Sequence, residues 1–242
     1  FGDLVTMKWW NGIWLNEAFA TFMELKVTDA FRPDWDRWVS FGLARSTAFD
    51  TDALEATRPI EYPVTSPDDA EGMFDVLTYE KGAAVVRMLE QYLGEERFRD
   101  GIRRYMAEHR YGNTETTDLW DAIEAASGEP VRRIMDSWIF QGGYPIVTVA
   151  ALDGGTRLRL SQERFLFLPD ADTSPRWSVP IHLRVGHEGG GTTDQVLLLE
   201  GDAVEIELDA PAAWVVANAA GHGFYRVRYD GALGTAIVAH VD

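Results

Sequence analysis

The chain has 242 residues, and 22 Lys and Arg against 39 Asp and Glu give it a formal net charge of −17 at pH 7. This balance excludes nucleic acids and anionic membranes as general partners, because a polyanion is repelled at long range. The sequence has no cysteine, which excludes disulfides, thiolate metal sites and cysteine nucleophiles. Any metal ligands must therefore be His, Asp or Glu.

The first residue is Phe1, and the segment Phe1–Trp14 has neither the charged region nor the small-residue cleavage site of a signal peptide. No apolar run approaches the roughly 20 residues that span a bilayer. We interpret the start as a position inside a longer protein and expect a cytoplasmic location. The frequent Ala, Arg and Gly predict a bacterial source with GC-rich DNA.

Up to residue 142 the apolar residues recur with a helical period. Trp14, Ala18, Phe22 and Leu25 are spaced by four, four and three, which predicts a first helix. Further helices are predicted over Met73–Tyr92, Glu95–His109, Thr117–Ala126 and Pro130–Phe140, with glycines or proline at their limits. Between the first helix and Met73, the prolines from Arg58 to Pro67 predict an extended connector.

After Gly143 the period becomes two, which is typical of half-buried strands. The alternating segments lie around Leu158–Leu160, Val179–Val185, Val204–Leu208 and Tyr225–Tyr229. Turn clusters separate them at Asp153–Gly155, Asp170–Pro175, Gly189–Gly191 and Asp209–Pro211. We predict an α+β chain of two domains: a helical domain over residues 1–142 and a small antiparallel β-sandwich of about seven strands over 143–230. Residues 231–242 are expected to begin a further, truncated domain.

Catalytic side chains are few. The five histidines are His109, His182, His187, His222 and His240. None forms an H-E-x-x-H pair on a predicted helix, and no nucleophile elbow or phosphate-binding glycine loop occurs. The chain alone therefore does not assemble a complete catalytic constellation.

Two residues stand out by context. Glu17 follows a dense aromatic segment and begins an apolar helix, but Glu17, Thr21 and Glu24 also fit the polar stripe of a helix that faces water. Tyr79 opens a second apolar helix, where a tyrosine is ordinarily a packed core or boundary aromatic. The residues by themselves leave both interpretations open for each position.

A resemblance to a known protein family favours a functional interpretation of both positions. The segment from Phe1 to Glu24, with Trp14-Leu15-Asn16-Glu17-Ala18-Phe19-Ala20 inside it, resembles the part of the aminopeptidase N family of zinc metallopeptidases that directly follows H-E-x-x-H. Thr78-Tyr79-Glu80-Lys81-Gly82 resembles the family's Y-x-K-G segment. Segments around Trp120, Trp138–Pro145, Gln162–Phe165 and Trp177–Ile181, and Gly223–Asp230, resemble later parts of the same family in the same order.

The resemblance implies roles for two residues. Glu17 matches the third zinc ligand, with eighteen residues between it and the second motif histidine, so H-E-x-x-H should start seven places before Phe1. Tyr79 matches the tyrosine that stabilises the transition-state oxyanion. Ala18 replaces the family's usual Gly, and Arg58 stands where relatives commonly have His; we attach no function to Arg58. The implied fold is the helical C-terminal part of a thermolysin-like catalytic domain followed by the β-sandwich.

The resemblance implies a monozinc aminopeptidase acting on peptides with a free N terminus, of which this chain is an internal fragment. The two His ligands, the general-base Glu and the G-x-M-E-N segment are missing, so the fragment alone should be inactive and should bind Zn²⁺ only weakly. Two alternatives stay open. One is a non-catalytic interaction module on a peptidase-like scaffold, and the other is an epoxide hydrolase that uses similar zinc and tyrosine residues.

Overall fold

The structure is a computed structural model that describes residues 1–168 and 172–240. The chain divides into two compact units, which meet in the sequence between Gly143 and Tyr144. The first unit is mainly helical and the second is mainly β-structure, so the chain is of the α+β class. Each unit is described separately.

The first unit has seven α-helices, a π-helical turn and two short strands. In chain order these are β1 (Val5–Met7), α1 (Trp14–Phe31), α2 (Arg37–Asp52), α3 (Pro67–Glu71), the π-helical turn (Leu77–Lys81), α4 (Gly82–Leu93), α5 (Glu95–His109), β2 (Gly112–Thr114), α6 (Thr116–Ser127) and α7 (Val131–Ile139). Strands β1 and β2 pair in parallel, with Val5 opposite Gly112. This pairing places the start of the chain beside the beginning of α6.

The core of the first unit is rich in aromatic side chains. Trp14, Trp120 and Trp138 are all fully buried, and the rings of Trp14 and Trp120 lie 5.5 Å apart. Helix α1 buries the four apolar residues whose spacing predicted it: Trp14, Ala18, Phe22 and Leu25. Gly94 and Gly128, both with positive φ, end α4 and α6 as their positions predicted.

The second unit contains seven strands and one helix among its described residues. They are β3 (Pro145–Leu152), β4 (Arg157–Arg164), β5 (Val179–His187), β6 (Thr192–Leu199), β7 (Ala203–Glu207), β8 (Ala212–Val216), β9 (Arg226–Tyr229) and α8 (Gly231–Val238). One sheet has the order β7-β4-β3-β9 and the other β6-β5-β8. Helix α8 packs on β8 and β9, and the Asp230 side chain accepts a hydrogen bond from the Leu233 amide at its start.

Each sheet buries one set of alternating side chains. Leu158 and Leu160 are buried in β4, whereas Arg157 and Arg159, which alternate with them, are not. In β5 the alternating residues Val179, Ile181, Leu183 and Val185 are buried, as are Pro180 and Gly186 near the ends of the strand. In β4 and β5 the period of two therefore predicted both the strand and its alternating buried side chains.

One helix was not predicted, and two expectations were wrong in detail. Helix α2 was not predicted, since Phe41, Ala48 and Asp52 are its only buried residues and no apolar period shows. The helix predicted from Met73 begins later, because residues 72–75 form a turn. The sheets are not wholly antiparallel, since β3 and β9 pair in parallel with Ile146 opposite Arg226.

Other expectations were incomplete or remain predictions. Strands β3, β6 and β8 were not predicted individually. The turn at Asp170–Pro175 lies partly outside the described residues. The further domain expected from residue 231 stays a prediction.

Candidate active site

Glu17 lies in the first turn of α1 and is half-buried. Trp14, in the same turn, holds it in place. Its indole donates hydrogen bonds to a Glu61 carboxylate oxygen at 2.9 Å and to the Thr116 hydroxyl at 3.1 Å. Among the residues that the structure describes, no cationic side chain forms an ion pair with Glu17. Glu17 is therefore neither a freely solvated residue nor one neutralised within this chain.

Tyr79 lies in the middle of the π-helical turn and is also half-buried. The wide turn is closed by the Gly82 amide, which donates to the Leu77 carbonyl five residues earlier. Single π-helical turns are rare and occur frequently at functional sites. Tyr79 is thus not a fully buried core residue, although its half-burial also fits the boundary aromatic that its sequence context allowed.

The structure brings Glu17 and Tyr79 together. Burial, a side-chain hydrogen bond to Glu17 and the negative charges of Glu17 and Glu80 raise the pKa of Tyr79 to about 12. Each of these influences favours the neutral phenol, whose O–H group is a hydrogen-bond donor. The two residues come from separate parts of the chain, and no short-range pattern predicts their contact.

A close crossing of α1 and α4 makes this contact feasible. A Cβ atom built on Gly82 would lie 2.7 Å from the Cβ of Ala18, which is too close for two carbon atoms. Ala18 follows Glu17, and Gly82 follows the turn that carries Tyr79. The absence of a side chain at Gly82 therefore lets the two site residues approach each other.

A polar cluster holds the beginning of the Tyr79 turn. The Asp75 carboxylate accepts hydrogen bonds from the Leu77 amide at 2.9 Å and the Thr78 amide at 3.2 Å. The guanidinium of Arg58 donates hydrogen bonds to the same carboxylate through Nε and Nη2. It also donates to the Thr78 hydroxyl. Arg58, to which we attached no function in the sequence, therefore supports the turn that carries Tyr79.

The other end of the turn is held by a buried charge that sequence reasoning missed. Lys81 is fully buried and forms an ion pair with Asp52, at the end of α2. One signal was present in the sequence: Lys81 lies four residues after Leu77 and four before Val85, so it shares their helix face. Both of those neighbours are buried.

The described residues contain no group of three or more His, Asp or Glu placed to hold a metal ion. Glu17 fits one ligand of a zinc ion, because it is a half-buried carboxylate whose charge no cation of the described chain balances. In the first unit the one histidine is His109, which lies on α5 against Tyr105, and the other four belong to the second unit.

A separate groove of about 510 Å³ lies in the first unit. Its lining includes Lys8, Trp9, Glu61, Thr116 and Phe140. The Glu61 carboxylate at its wall already accepts hydrogen bonds from Asn11, Trp14 and Thr116. Neither Glu17 nor Tyr79 lines this groove.

The helical first unit brings Glu17 and Tyr79, the two residues identified by the resemblance, close together. Residues 1–138 match the model of the peptidase family M1 domain. The chain belongs to peptidase family M1, as the resemblance to aminopeptidase N predicted.

Curated relatives match nearly the whole chain. It is 46% identical over 232 residues to the Tricorn protease-interacting factor F2 of Thermoplasma acidophilum, covering 96% of this chain and 28% of that protein. It is 42% identical over 231 residues to the probable aminopeptidase 2 of Sulfurisphaera tokodaii, covering 95% and 29%. It is 39% identical over 248 aligned positions to aminopeptidase M1 of Arabidopsis thaliana, covering 96% and 28%.

The chain therefore spans less than a third of the length of these relatives. They are archaeal and plant proteins, and the bacterial source stays a prediction. Among the described residues, no helix is long and apolar enough to cross a membrane.

Proposed function

We propose that this chain is an internal part of a monozinc aminopeptidase that removes N-terminal residues from peptides. In this proposal residues 1–142 are the helical part of a thermolysin-like catalytic domain, 143–230 form a β-sandwich, and 231–242 begin a further domain. Membership of family M1 and the aminopeptidase names of relatives support the reaction class.

Glu17 would supply the anionic ligand of the zinc ion. Its negative charge has no cationic partner in the described chain, and its backbone is fixed in the first turn of α1. When bound, zinc acts as a Lewis acid that activates water and polarises the scissile carbonyl. The remaining ligands would come from an H-E-x-x-H segment upstream of Phe1.

Tyr79 would donate a hydrogen bond to the carbonyl oxygen of the substrate as negative charge develops there. A donor that is already oriented stabilises that charge without reorganising during the reaction. The observation that carries the proposal is the proximity of Tyr79 to Glu17, whose negative charge acts on the Tyr79 phenol, since it places the donor beside the proposed ligand.

The first experiment determines the seven codons before Phe1 in the natural gene. The proposal expects H-E-x-x-H to start at the seventh. Any other sequence there would remove the zinc site and favour the non-catalytic interaction module.

The second experiment uses the full-length protein with aminoacyl amide substrates. We expect Tyr79→Phe to lower kcat by about 10²–10³-fold while zinc content, measured by elemental analysis, stays unchanged. We expect Glu17→Ala to lose zinc. Tyr111→Phe and Glu24→Gln are matched controls, because both side chains are exposed.

Full activity of Tyr79→Phe with zinc retained would overturn its role. Hydrolysis of lipid epoxides in preference to aminoacyl amides would favour the epoxide hydrolase alternative. The isolated 242-residue chain should bind zinc only weakly, because a lone carboxylate does not replace a set of three fixed ligands.

A further inference from the structure

Asp52 and Lys81 form an ion pair in the interior of the first unit. Both side chains are 0% exposed, and the Lys81 Nζ lies 2.7 Å from the Asp52 Oδ2. Asp52 ends α2, and Lys81 ends the π-helical turn that carries Tyr79. The pair therefore joins two elements that are distant in the sequence.

Further hydrogen bonds fix the pair. Lys81 Nζ also donates to the Gly143 carbonyl at 3.0 Å. The second oxygen of Asp52, Oδ1, accepts from the Thr57 hydroxyl at 2.7 Å and the Gly143 amide at 2.9 Å. Lys81 is therefore held by two other segments, one that contains Asp52 and Thr57 and one that contains Gly143.

Stability alone is a poor explanation for such a pair. Removing two charges from water is costly, and replacing a buried ion pair by apolar residues of similar volume is often neutral or stabilising. The helix face of Lys81 is otherwise apolar here, with Leu77 and Val85 buried on either side. In some proteins, buried polar or charged groups are retained because they specify one arrangement of the segments that they join.

Lys81 is two residues after Tyr79, so whatever fixes Lys81 also fixes the backbone of Tyr79. The beginning of the turn is held by Asp75, which accepts hydrogen bonds from the Leu77 and Thr78 amides. Tyr79 therefore lies between two anchored points on one wide turn.

We propose that the Asp52–Lys81 ion pair is a positioning pair, which fixes the π-helical turn so that the Tyr79 hydroxyl points to the substrate oxyanion. This inference rests on the proposed role of Tyr79. The pair itself contacts neither substrate nor metal. Its effect on the reaction passes through Tyr79 alone.

The test is a double-mutant cycle in the full-length enzyme. Asp52→Asn/Lys81→Met removes both charges together and leaves an acceptor for Thr57 and Gly143. A small misplacement of a catalytic group can slow a reaction by up to 10²-fold, so we expect kcat to fall by about 10- to 100-fold. KM and zinc content should stay unchanged, because a donor that acts only in the transition state does not alter substrate binding.

The same pair of substitutions is then made in a Tyr79→Phe background. If the ion pair acts through Tyr79, kcat should not fall further there, because the donor is already absent. A general structural defect would lower kcat by the same factor in both backgrounds, and that result would overturn the inference. If Tyr79→Phe alone leaves kcat unchanged, the proposed function fails instead, so the two failures are distinguishable.

A matched control removes an ion pair elsewhere. Arg104→Met/Glu108→Gln deletes the exposed pair on α5, and kcat should not change. If the buried double variant does not fold, Thr57→Val takes its place in both the unsubstituted and the Tyr79→Phe backgrounds. This substitution deletes only the hydroxyl that donates to Asp52. A kcat loss that disappears in the Tyr79→Phe background would support the inference, and a loss equal in both backgrounds, or none in either, would overturn it.

Discussion

Gly82 and Ala18 mark the closest approach of α4 and α1, and a Cβ on Gly82 would lie 2.7 Å from the Ala18 Cβ. Ala18 itself stands where the related segment usually has Gly. With a methyl group already on α1, the other side of the crossing has no room for a second. The crossing therefore depends on Gly82.

We expect Gly82→Ala to destabilise the protein by about 1–3 kcal/mol, because overpacking forces the helices apart. The same shift would separate Tyr79 from Glu17 and lower kcat. Gly42→Ala is the matched control, since Gly42 lies within α2 and nothing is within 4 Å of its added Cβ. Alanine is the better helix former, so the control should stabilise by about 0.5–1 kcal/mol. Denaturant unfolding measures both, and equal effects would contradict the packing argument.

Arg58 gives a second prediction. Its guanidinium donates to Asp75 with two nitrogens, to the Thr78 hydroxyl, and to the backbone carbonyls of Pro59 and Ile60. Lysine has the same charge but not the planar fork, so Arg58→Lys is not conservative here. We expect a loss of about 1 kcal/mol, discounted because the Asp75 side chain is 38% exposed.

The control for Arg58 is Arg32→Lys, because Arg32 also makes two hydrogen bonds to one carboxylate, that of Asp34, but at the surface. A fully exposed ion pair contributes little to stability, because water and salt screen it. Chemical unfolding should show a clearly smaller loss for Arg32→Lys. Equal losses would mean that the clamp on Asp75 adds nothing beyond a surface ion pair.

The helices that were predicted share one property: a continuous apolar period that ends at glycine or at a polar cluster. Helix α5 was predicted at its observed limits, Glu95–His109, because Phe98 and Tyr105 follow that period and Gly94 precedes it. Helix α2 could not be predicted in this way. Val39 and Leu43 on α2 are 70% and 75% exposed, so its apolar residues do not mark its buried face.

The candidate site shows the same limit. Glu17 and Tyr79 were each identified from a resemblance, but their contact depends on the crossing of two helices that are distant in the sequence. Asp52 lies in α2, the helix that was not predicted. The sequence therefore did not indicate Asp52 as the partner of Lys81. Sequence patterns report which face of an element is buried, whereas the site depends on which buried faces meet.

Glu61 gives a third prediction, about the connector before α3. Its carboxylate accepts hydrogen bonds from Asn11 at 2.7 Å, from the Trp14 indole at 2.9 Å and from the Thr116 hydroxyl. All of these partners act as donors, and glutamine would turn an N–H group toward at least one of them. We expect Glu61→Gln to destabilise by about 1–3 kcal/mol in chemical unfolding. Glu55→Gln, at an exposed position of the same connector, should change little.

His182 gives the last prediction, about pH. It lies on β5 opposite Val196, and its ring is 5.7 Å from that of His222. Burial lowers its pKa below the ordinary value of 6.5. Its Nε2 is buried, with no hydrogen-bond partner among the residues that the structure describes.

The lowered pKa fixes the sign of the effect. As the pH falls, the unfolded chain binds a proton at His182 before the folded chain does, so the free energy of unfolding decreases. The contribution of neutral His182 is present above pH 6.5 and is lost as the pH falls toward the folded-state pKa. His182→Gln and His182→Phe both remove this titration, although they change packing differently.

We therefore expect both variants to lose less stability than the unsubstituted protein between about pH 7.5 and about pH 5.5. The measurement is chemical unfolding at several pH values across this window. The two variants serve as controls for each other, because their pH slopes should agree even if their stabilities differ. If the free energy of unfolding changes with pH in the same way for all three proteins, His182 has the same pKa in the folded and unfolded states. That result would contradict the burial argument.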